Sequence, residues 1–451
     1  MSLVALGDLL AGSRSDRHCV AILEGRRINL SKFRSDVFHN AQLLSNRSVR
    51  RGAVVCEHGY WFIVGILALL KIGAEVILPP NAQDGTLRSI AGDVDAIVVD
   101  SESSAVPKQI VLQSRSDEVV PFRTDLENGT IHFFTSGSTG EMKAVKKSIA
   151  MFEREASVLE NMWGAELHEI PVVGTVTHQH VFGMTFRIIW PLMAGRPFHS
   201  EFHMAWEGLH TQLDGPTMIV TSPAQLTRLG GLAPVAENNR PRMIISAGAA
   251  LPPEAASDSS AIFGCAPTEI LGSTEAGVIA WRRSGTGPAL WRPFPNVEVE
   301  ANADGVMLLR SQHATATGWS LQSDRIQLQS DGRFRLLGRI DRILKIEGKR
   351  VSLQKLEREL RELAWVTEAA VVGLGGSRPY LGALVRLSEA GAAEIERLGK
   401  FRFERMLRRE LSSTEDLAVL PRRWRFVQFM PMDQLGKRRV SDVVTLLEQS
   451  E

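Results

Sequence analysis

Short apolar runs alternate with helical patterns through the first two thirds of the chain, and this alternation limits the possible fold more than any other feature. Apolar runs of strand length lie at residues 52–56, 75–78, 96–99, 131–134, 218–220 and 243–245. Residues 60–72 have the length and apolar character of a buried helix. Continuously apolar strands are typical of sheets that helices cover on both faces. The sequence therefore predicts an α/β fold, with a large N-terminal domain of layered α/β subdomains.

The pattern changes near residue 340. Residues 353–363 place leucines at spacings of three and four, which predicts an amphipathic helix. Two short strand candidates follow at residues 369–372 and 382–385, and a basic helix is predicted at 400–410. These features predict a small α+β domain at the C-terminal end.

The junction at residues 338–351 is charged and contains Gly338 and Gly348, as linkers often do. A chain of 451 residues has room for two to four domains. We predict a large domain over residues 1–338 and a small, mobile domain over residues 339–451.

The composition excludes several classes of protein. The net charge is +1, from 52 basic and 51 acidic side chains, which argues against a nucleic-acid binder. Only three cysteines are present, so a disulfide framework is not expected. The most apolar run, residues 61–70, is shorter than the roughly 20 residues that a membrane span needs. The N-terminal residues lack a signal-peptide pattern, and we expect a cytoplasmic protein without stable membrane insertion.

A run of small residues follows the apolar strand at residues 131–134 and precedes Lys143. Glycines allow backbone N–H groups to converge on an anion, hydroxyls add donors, and the lysine adds positive charge. Ser148 is placed to cap the helix that follows. The sequence thus predicts a phosphate-binding loop built from Thr135, Ser136, Gly137, Ser138, Thr139 and Gly140.

This loop differs from two common nucleotide-binding motifs. A Walker loop has glycine directly before its lysine and Ser or Thr after it, whereas this chain has Met142 and Ala144. The glycine-rich residues 373–378 lack the third glycine of a dinucleotide fingerprint. The sequence therefore disfavours a P-loop kinase and a Rossmann dehydrogenase.

The segment 397–425 carries nine basic and four acidic residues, a local charge of +5. One interpretation is a solvated helix face. The other is a patch for an anionic partner, either a nucleotide phosphate or an acidic carrier protein.

The run TSGSTGEMK, residues 135–143, resembles the phosphate loop of the adenylate-forming enzymes, a superfamily that includes acyl-CoA synthetases, nonribosomal-peptide adenylation domains and firefly luciferase. Further motifs of that family follow in the family's order. Residues 246–251, SAGAAL, resemble the turn that lies against the nucleotide, which implies cofactor-binding roles for Ala247, Gly248 and Ala249.

Residues 272–275, GSTE, resemble the family's Gly-x-Thr-Glu motif. The resemblance implies that Gly272 and Ser273 line the nucleotide site, that Thr274 contacts the α-phosphate and that Glu275 holds Mg²⁺. A carboxylate is a suitable ligand for this hard cation. The family usually has an aromatic residue stacked on adenine where this chain has Leu271, whose aliphatic side chain would pack on the ring instead.

The remaining motifs extend the resemblance to the C-terminal end. Asp324 would accept hydrogen bonds from the ribose hydroxyls. Arg339 would contact ribose or phosphate, and Asp341 would be the hinge between the domains. Lys437, in a segment that resembles the family's C-terminal lysine motif, would bridge the attacking carboxylate and the α-phosphate. The segment HVFG, residues 180–183, resembles the one beside the acyl pocket, which implies that His180, Phe182 and Gly248 line that pocket.

The resemblance implies an AMP-forming acid–thiol ligase that uses ATP and Mg²⁺. An aryl or a short or medium acyl acid would be converted to an acyl-adenylate with release of pyrophosphate. The acyl group would then pass to the thiol of CoA or of an acyl carrier protein, giving a thioester and AMP. The identity of the acid, the choice of acceptor and the oligomeric state stay open at this stage.

Two alternatives remain from the sequence. A catalytically impaired nucleotide-binding homologue with a regulatory or scaffolding role is favoured by Leu271, Met142 and Ser323, which depart from the family's pattern. An ATP-dependent kinase would release ADP, whereas the ligase releases AMP.

Overall fold

A computed structural model describes residues 3–103, 107–115, 119–126, 128–136, 142–203, 205–249, 251–285, 290–339, 343–375, 378–431 and 440–449. The helices in chain order are α1 Leu6–Leu10, α2 Leu30–Asn46, α3 Gly59–Lys71, α4 Asp84–Ile90, α5 Ile149–Leu167, α6 Val181–Gly183, α7 Trp190–Ala194, α8 Trp206–His210, α9 Pro223–Leu226, α10 Pro253–Phe263, α11 Leu353–Glu362, α12 Glu389–Leu398, α13 Lys400–Leu411 and α14 Val440–Glu448. A π-helical segment, Met184–Ile189, joins α6 to α7, and short 3-10 turns lie at Glu237–Asn239 and Leu417–Val419.

The strands in chain order are β1 Cys19–Leu23, β2 Arg26–Asn29, β3 Arg51–Val54, β4 Glu75–Leu78, β5 Ala96–Val99, β6 Gln109–Val111, β7 Thr130–Ser136, β8 Met142–Ser148, β9 Val172–Gly174, β10 Phe198–His199, β11 Met218–Thr221, β12 Met243–Ala247, β13 Thr268–Ser273, β14 Gly277–Arg283, β15 Arg292–Pro293, β16 Val297–Ala301, β17 Val306–Ser311, β18 Ser320–Leu328, β19 Phe334–Arg339, β20 Ile343–Ile346, β21 Lys349–Ser352, β22 Val366–Leu374, β23 Tyr380–Leu387 and β24 Arg423–Phe426. The six strands predicted from apolar runs in the N-terminal part are all found, with ends that differ from the prediction by no more than two residues.

Two large sheets organise the N-terminal part. In the described part of the chain, one sheet has the strand order β15-β14-β13-β12-β11-β9-β10-β1-β2, and the other has the order β6-β5-β3-β4-β7-β8. The adjacent strands β10, β9, β11, β12 and β13 run parallel to one another, as do β5, β3, β4 and β7, whereas β14 pairs antiparallel with β13. This architecture agrees with the predicted α/β class.

Helices cover both faces of these sheets because the strands are apolar on both sides. On β4, Val76 and Leu78 point into the main core, which also contains side chains of α2, α3 and α5. Ile77 points to the opposite face and packs with Leu87 and Ile90 of α4. The other large sheet divides its side chains in the same way between the main core and a cluster with α8, α9 and α10.

The predicted buried helix at residues 60–72 is confirmed as α3, whose side chains are buried except for Trp61 and Lys71. Its apolar character around the whole circumference reflects its place in the main core. Among the described residues, no helix combines the length and the apolar character that crossing a bilayer requires.

The start of α5 differs from the prediction. Ser148 stands at the N-cap position, but its side chain makes no capping hydrogen bond. The N–H of Ile149 donates instead to the Gly129 carbonyl at 2.9 Å. A tertiary contact thus provides an acceptor at the start of the helix, while the side chain of Ser148 provides none.

The chain divides into two compact units, one comprising Met1–Ala82, Leu87–Phe134 and Ala144–Gly338 and the other Gln83–Thr86, Thr135–Lys143 and Arg339–Glu451. In the C-terminal unit, α11 and α13 pack on one face of the sheet β22-β23-β24, and α14 packs on the other. The predicted helix at 353–363 begins after Ser352, whose hydroxyl accepts a hydrogen bond from the Lys355 N–H at 3.2 Å. That residues 339–451 form a mobile domain with a hinge at Asp341 stays a prediction.

Candidate active site

Two of the predicted motifs lie at the same edge of the largest sheet. Strands β12 and β13 are parallel neighbours, with Ser246 opposite Glu269 and Ala247 opposite Ile270. The segment SAGAAL therefore leaves β12 on the side where the turn containing Thr274 leaves β13. Ligands in open α/β sheets bind beyond the carboxyl ends of the strands, so this edge is the candidate nucleotide site.

The turn between β13 and β14 requires glycine at both ends. A Cβ on Gly272 would lie 2.6 Å from the Gly277 carbonyl oxygen. Gly277 has a φ of +70°, which disfavours other residues. The Ser273 hydroxyl accepts the Ala276 N–H at 3.0 Å and tightens the turn. Thr274 is half-buried at the tip of the turn, as is Glu275.

Side chains distant in sequence hold this turn from behind. The N–H of Val278 donates to Glu155 Oε1 at 2.9 Å, and His313 Nε2 donates to the Val278 carbonyl at 2.8 Å. The Thr315 N–H donates to the carbonyl of Glu275 at 2.9 Å. Glu155 and His313 are both 1% exposed. Sequence reasoning missed these two residues, because a single Glu in a helix and a single His in a loop carry no motif.

The buried carboxylate of Glu269 fixes the end of the segment SAGAAL, residues 246–251. Glu269, 3% exposed, accepts the Leu251 N–H at 3.1 Å and the Ser284 hydroxyl at 3.0 Å. Arg282 lies opposite it on β14 and donates twice to the same carboxylate, each time at 2.8 Å. Sequence reasoning also missed this pair, although a charged residue inside an apolar strand was a usable signal.

The segment predicted beside the acyl pocket forms a tight helical turn. His180 is the exposed N-cap residue of α6, and Phe182 lies within it, 5.0 Å from Phe186 between ring centroids. A Cβ on Gly183 would approach the Thr177 carbonyl oxygen to 1.9 Å, so only glycine fits. The backbone contact explains the glycine at position 183 without reference to a substrate.

Two buried side chains, the cationic Arg187 and the neutral His178, hold the backbone around this segment. Arg187 donates to the carbonyls of Val176 at 2.8 Å, His199 at 3.2 Å and Glu201 at 2.6 Å. Burial lowers the pKa of Arg187 to about 10, so the guanidinium stays charged at neutral pH. Burial also lowers the pKa of His178 to about 3, and its Nε2–H donates to the Cys56 carbonyl at 2.8 Å as a neutral imidazole.

The other predicted residues are distributed as follows. Thr135 and Ser136 end β7, Lys143 lies in β8, Arg339 ends β19, and Asp324 is half-buried in β18. Leu271 is 9% exposed and packs in the main core. The predicted roles of these residues stay predictions. The same holds for the predicted roles of six residues that lie outside the described ranges, namely Gly137, Ser138, Thr139, Gly140, Asp341 and Lys437.

The turn fits a magnesium ion that arrives with a nucleotide. Magnesium is usually held by one or two carboxylates together with substrate phosphates and water. The half-buried Glu275 offers one carboxylate, and Thr274 offers a neighbouring hydroxyl. Within the described ranges, no group of three or more His, Cys, Asp or Glu side chains is arranged to hold a metal. The described part of the chain thus offers one carboxylate to the ion, and the nucleotide phosphates and water would supply the other ligands.

The basic segment predicted at 397–425 contains an open groove along α13. The groove has a volume of about 500 Å³ and is lined by Arg402, Arg405, Met406, Arg408, Arg409, Ser412 and Leu417. Several arginines of the segment have protein partners, such as Arg397 with Glu394. No carboxylate of the described chain forms an ion pair with Arg402, Arg405 or Arg409. These three arginines form a positively charged surface.

A model of the AMP-binding enzyme family matches residues 10–304, more than half of the chain. The protein belongs to the AMP-binding enzyme family, so the resemblance drawn from its motifs is confirmed. It is 28% identical over 313 residues to a 4-coumarate–CoA ligase of Rhodobacter capsulatus, which covers 68% of this chain and 74% of that protein.

Two further comparisons extend this result. A D-alanine–D-alanyl carrier protein ligase of Lactococcus lactis is 28% identical over 114 residues, which covers 25% of this chain and 23% of that protein. A malonyl-CoA ligase solved as a ternary product complex with methylmalonyl-CoA and AMP superposes with a TM-score of 0.80 at 19% identity, over 94% of this chain and 100% of that one. The superposition shows a shared fold and confirms the predicted fold class. Other 4-coumarate–CoA ligases are matched over only 61% and 62% of their own length.

Proposed function

We propose that this protein activates a carboxylic acid with ATP, forming an acyl-adenylate and pyrophosphate, and then transfers the acyl group to a thiol, forming a thioester and AMP. Membership of the AMP-binding enzyme family supports the first half. The observation that carries the proposal is the register of β12 and β13, which pairs Ala247 with Ile270, so that the segment after β12 and the turn of Thr274 and Glu275 leave the sheet at the same edge.

The main barrier to adenylation is electrostatic, because a carboxylate must approach the negatively charged α-phosphate of ATP. Backbone donors of the loop at residues 135–140, together with Lys143, would hold the β- and γ-phosphates. Thr274 would donate to the α-phosphate from the tip of its turn. Lys437 would place its cation between the two reacting groups and offset the negative charge that gathers as they approach.

Glu275 and the nucleotide phosphates would hold Mg²⁺, which when bound neutralises charge on the pyrophosphate leaving group. The chain's own contribution is the fixed backbone position of the residue that carries this carboxylate. The Thr315 N–H anchors the backbone of Glu275, and Ser273 closes the turn beside it. A site fixed before the substrates arrive needs little rearrangement during the reaction.

An acid panel tests the proposal directly. Aryl, short-chain, medium-chain and amino acids are each supplied with ATP and Mg²⁺, and pyrophosphate, AMP and ADP are measured separately. We expect pyrophosphate release that depends on one class of acid, with an aryl or a short or medium acyl acid as the best substrate. Release of ADP, or ATP consumption that no acid alters, would contradict the proposal.

The proposed role of Lys437 predicts the effect of one substitution. Removing a donor that stabilises transition-state charge typically lowers the rate by about 10²–10³-fold. We expect Lys437→Ala to lose acid-dependent pyrophosphate release on that scale while its circular dichroism spectrum and melting temperature stay those of the wild type. Unchanged pyrophosphate release would contradict the assignment.

The acceptor is proposed to be an anionic thiol carrier, either CoA or the phosphopantetheine arm of an acyl carrier protein. Arg402, Arg405 and Arg409 line the groove along α13 and form no ion pair with the residues that the structure describes, which favours such a partner. Thioester formation measured with CoA and with a loaded carrier protein distinguishes the two. A catalytically impaired homologue, which Leu271, Met142 and Ser323 favour, would bind ATP and release no pyrophosphate with any acid.

A further inference from the structure

Lys147 is a buried cation that forms no ion pair with any residue in the described part of the chain. The side chain is 0% exposed on β8, at the strand end that leads into α5. Its Nζ donates to the His313 carbonyl oxygen at 3.2 Å and lies 5.5 Å from the centroid of the Phe152 ring. No carboxylate oxygen of the described residues lies within ion-pairing distance of it. Since burial of a charge without such a pair costs stability, packing alone does not explain this lysine.

The contacts of Lys147 lead to the turn that carries Thr274 and Glu275. The carbonyl that it holds belongs to His313, whose imidazole donates to the Val278 carbonyl at 2.8 Å. Two residues further along the same loop, the Thr315 N–H donates to the carbonyl of Glu275 at 2.9 Å. The loop between β17 and β18 thus connects the lysine to both sides of the turn.

The charged groups near Lys147 also belong to the turn that carries Thr274 and Glu275 or to its support. Burial lowers the pKa of Lys147, and the nearby carboxylates of Glu155 and Glu275, in that order, oppose the shift. Glu155 Oε1 accepts the Val278 N–H at 2.9 Å and leaves its buried Oε2 without a hydrogen-bond partner. The positive charge of the lysine therefore compensates a buried carboxylate that itself holds the base of the turn.

We propose that Lys147 is a positioning residue for the turn that carries Thr274 and Glu275, acting through the His313 carbonyl and through the charge of Glu155. The effect on nucleotide binding rests on the proposed function, whereas the effect on the turn does not. The exposed Lys146, the preceding residue on the same strand, provides a matched control.

The test compares Lys147→Met with Lys146→Met. Methionine keeps the length of the buried stem and removes the charge and the hydrogen bond. We expect hydrogen–deuterium exchange in peptides covering residues 272–280 to be roughly tenfold faster or more in Lys147→Met and unchanged in Lys146→Met. Outer-shell partners of a site typically contribute 10–100-fold. We therefore expect the KM for ATP with Mg²⁺ to rise by about tenfold or more, with the KM for the acid unchanged.

Several results would overturn the inference. Exchange in 272–280 that matches the control, or equal rises in both KM values, would show that the lysine does not position this turn. If Lys147→Met fails to fold, Glu155→Gln is the second test. Glutamine preserves the size of the side chain and one hydrogen-bond acceptor. Unchanged exchange in residues 272–280 of that variant rejects the inference. A wild type that converts no acid would reject the proposed function, while the exchange comparison would still test the positioning role.

Discussion

At the scale of single residues, burial determines what an ion pair contributes. Glu269 and Arg282 form a two-point pair with 4% and 18% of their side chains exposed. Glu298 and Arg310 form a similar pair on the surface, with 56% and 50% exposed. Solvent screens the second pair, whereas removing one partner of the first leaves a charge with no compensation.

This contrast predicts a stability difference. Glu269→Ala should lower the free energy of unfolding by about 3–5 kcal/mol, because it leaves Arg282, the Leu251 N–H and the Ser284 hydroxyl without their acceptor. Urea unfolding followed by tryptophan fluorescence measures the change. Glu298→Ala is the control and should unfold as the wild type does. Equal losses in the two variants would contradict this view of the buried carboxylate.

Titration of His178 predicts a dependence of stability on pH. The pKa of this side chain is about 3 in the folded chain, because burial disfavours the charged ring, against about 6.5 when unfolded. Between these values the unfolded chain binds a proton that the folded chain does not, so stability is full above pH 6.5 and falls as the pH decreases. From pH 6 to pH 5 this group should cost about 1 kcal/mol.

The variant His178→Gln removes that titration. Unfolding free energies measured at pH 6 and pH 5 should fall less in the variant than in the wild type, by about 1 kcal/mol. His39, which lies outside the predicted pocket segment, provides a control in His39→Gln. An identical pH dependence in wild type and His178→Gln would show that the buried imidazole is not the titrating group.

At the scale of secondary-structure elements, similar sequence signals lead to different hydrogen bonds. Ser352 and Ser148 both precede a helix, and both satisfy the usual pattern of an N-cap. Only Ser352 accepts a hydrogen bond from its helix, from the Lys355 N–H. The first N–H of α5 is satisfied by Gly129, which is close in space and distant along the chain.

The two caps therefore predict different effects of the same substitution. Ser352→Ala should cost about 1 kcal/mol at the start of α11, seen as about fivefold faster amide exchange in its first turn. Ser148→Ala should leave the exchange in the first turn of α5 unchanged. Comparable acceleration in both helices would contradict the observed difference between the caps.

Strands were the easiest elements to predict. The runs at residues 75–78 and 96–99 coincide with β4 and β5, because residues 76–78 and 96–99 are apolar without interruption and the runs end before Pro79 and Asp100. Glu357 shows the limit of such reasoning. No local pattern marks this glutamate of α11 as buried, but its carboxylate is buried and accepts the Val371 N–H at 2.8 Å. The position of the neighbouring sheet, absent from any local pattern, decides which way that side chain points.

At the scale of the whole molecule, the proposed function requires the C-terminal domain to serve two half-reactions in turn. The resemblance assigns the hinge to Asp341, and enzymes of this kind commonly depend on a few hinge residues. Proline fixes φ and restricts the residue before it. We expect Asp341→Pro to release pyrophosphate at the wild-type rate and to lose thioester formation. Asp341→Ala, which keeps the backbone free, is the control, and equal loss of both half-reactions would count against the hinge.

The sequence by itself determined the alternation of strands and helices, the order of the motifs and the family, because these depend on residue types at short spacings. Only the tertiary structure decided which residues support the candidate site. Lys147 meets His313 across 166 positions, and Glu155 meets Val278 across 123. No local periodicity encodes such distances, since they follow from how the sheets and helices pack, and packing brings together residues that carry no signal individually.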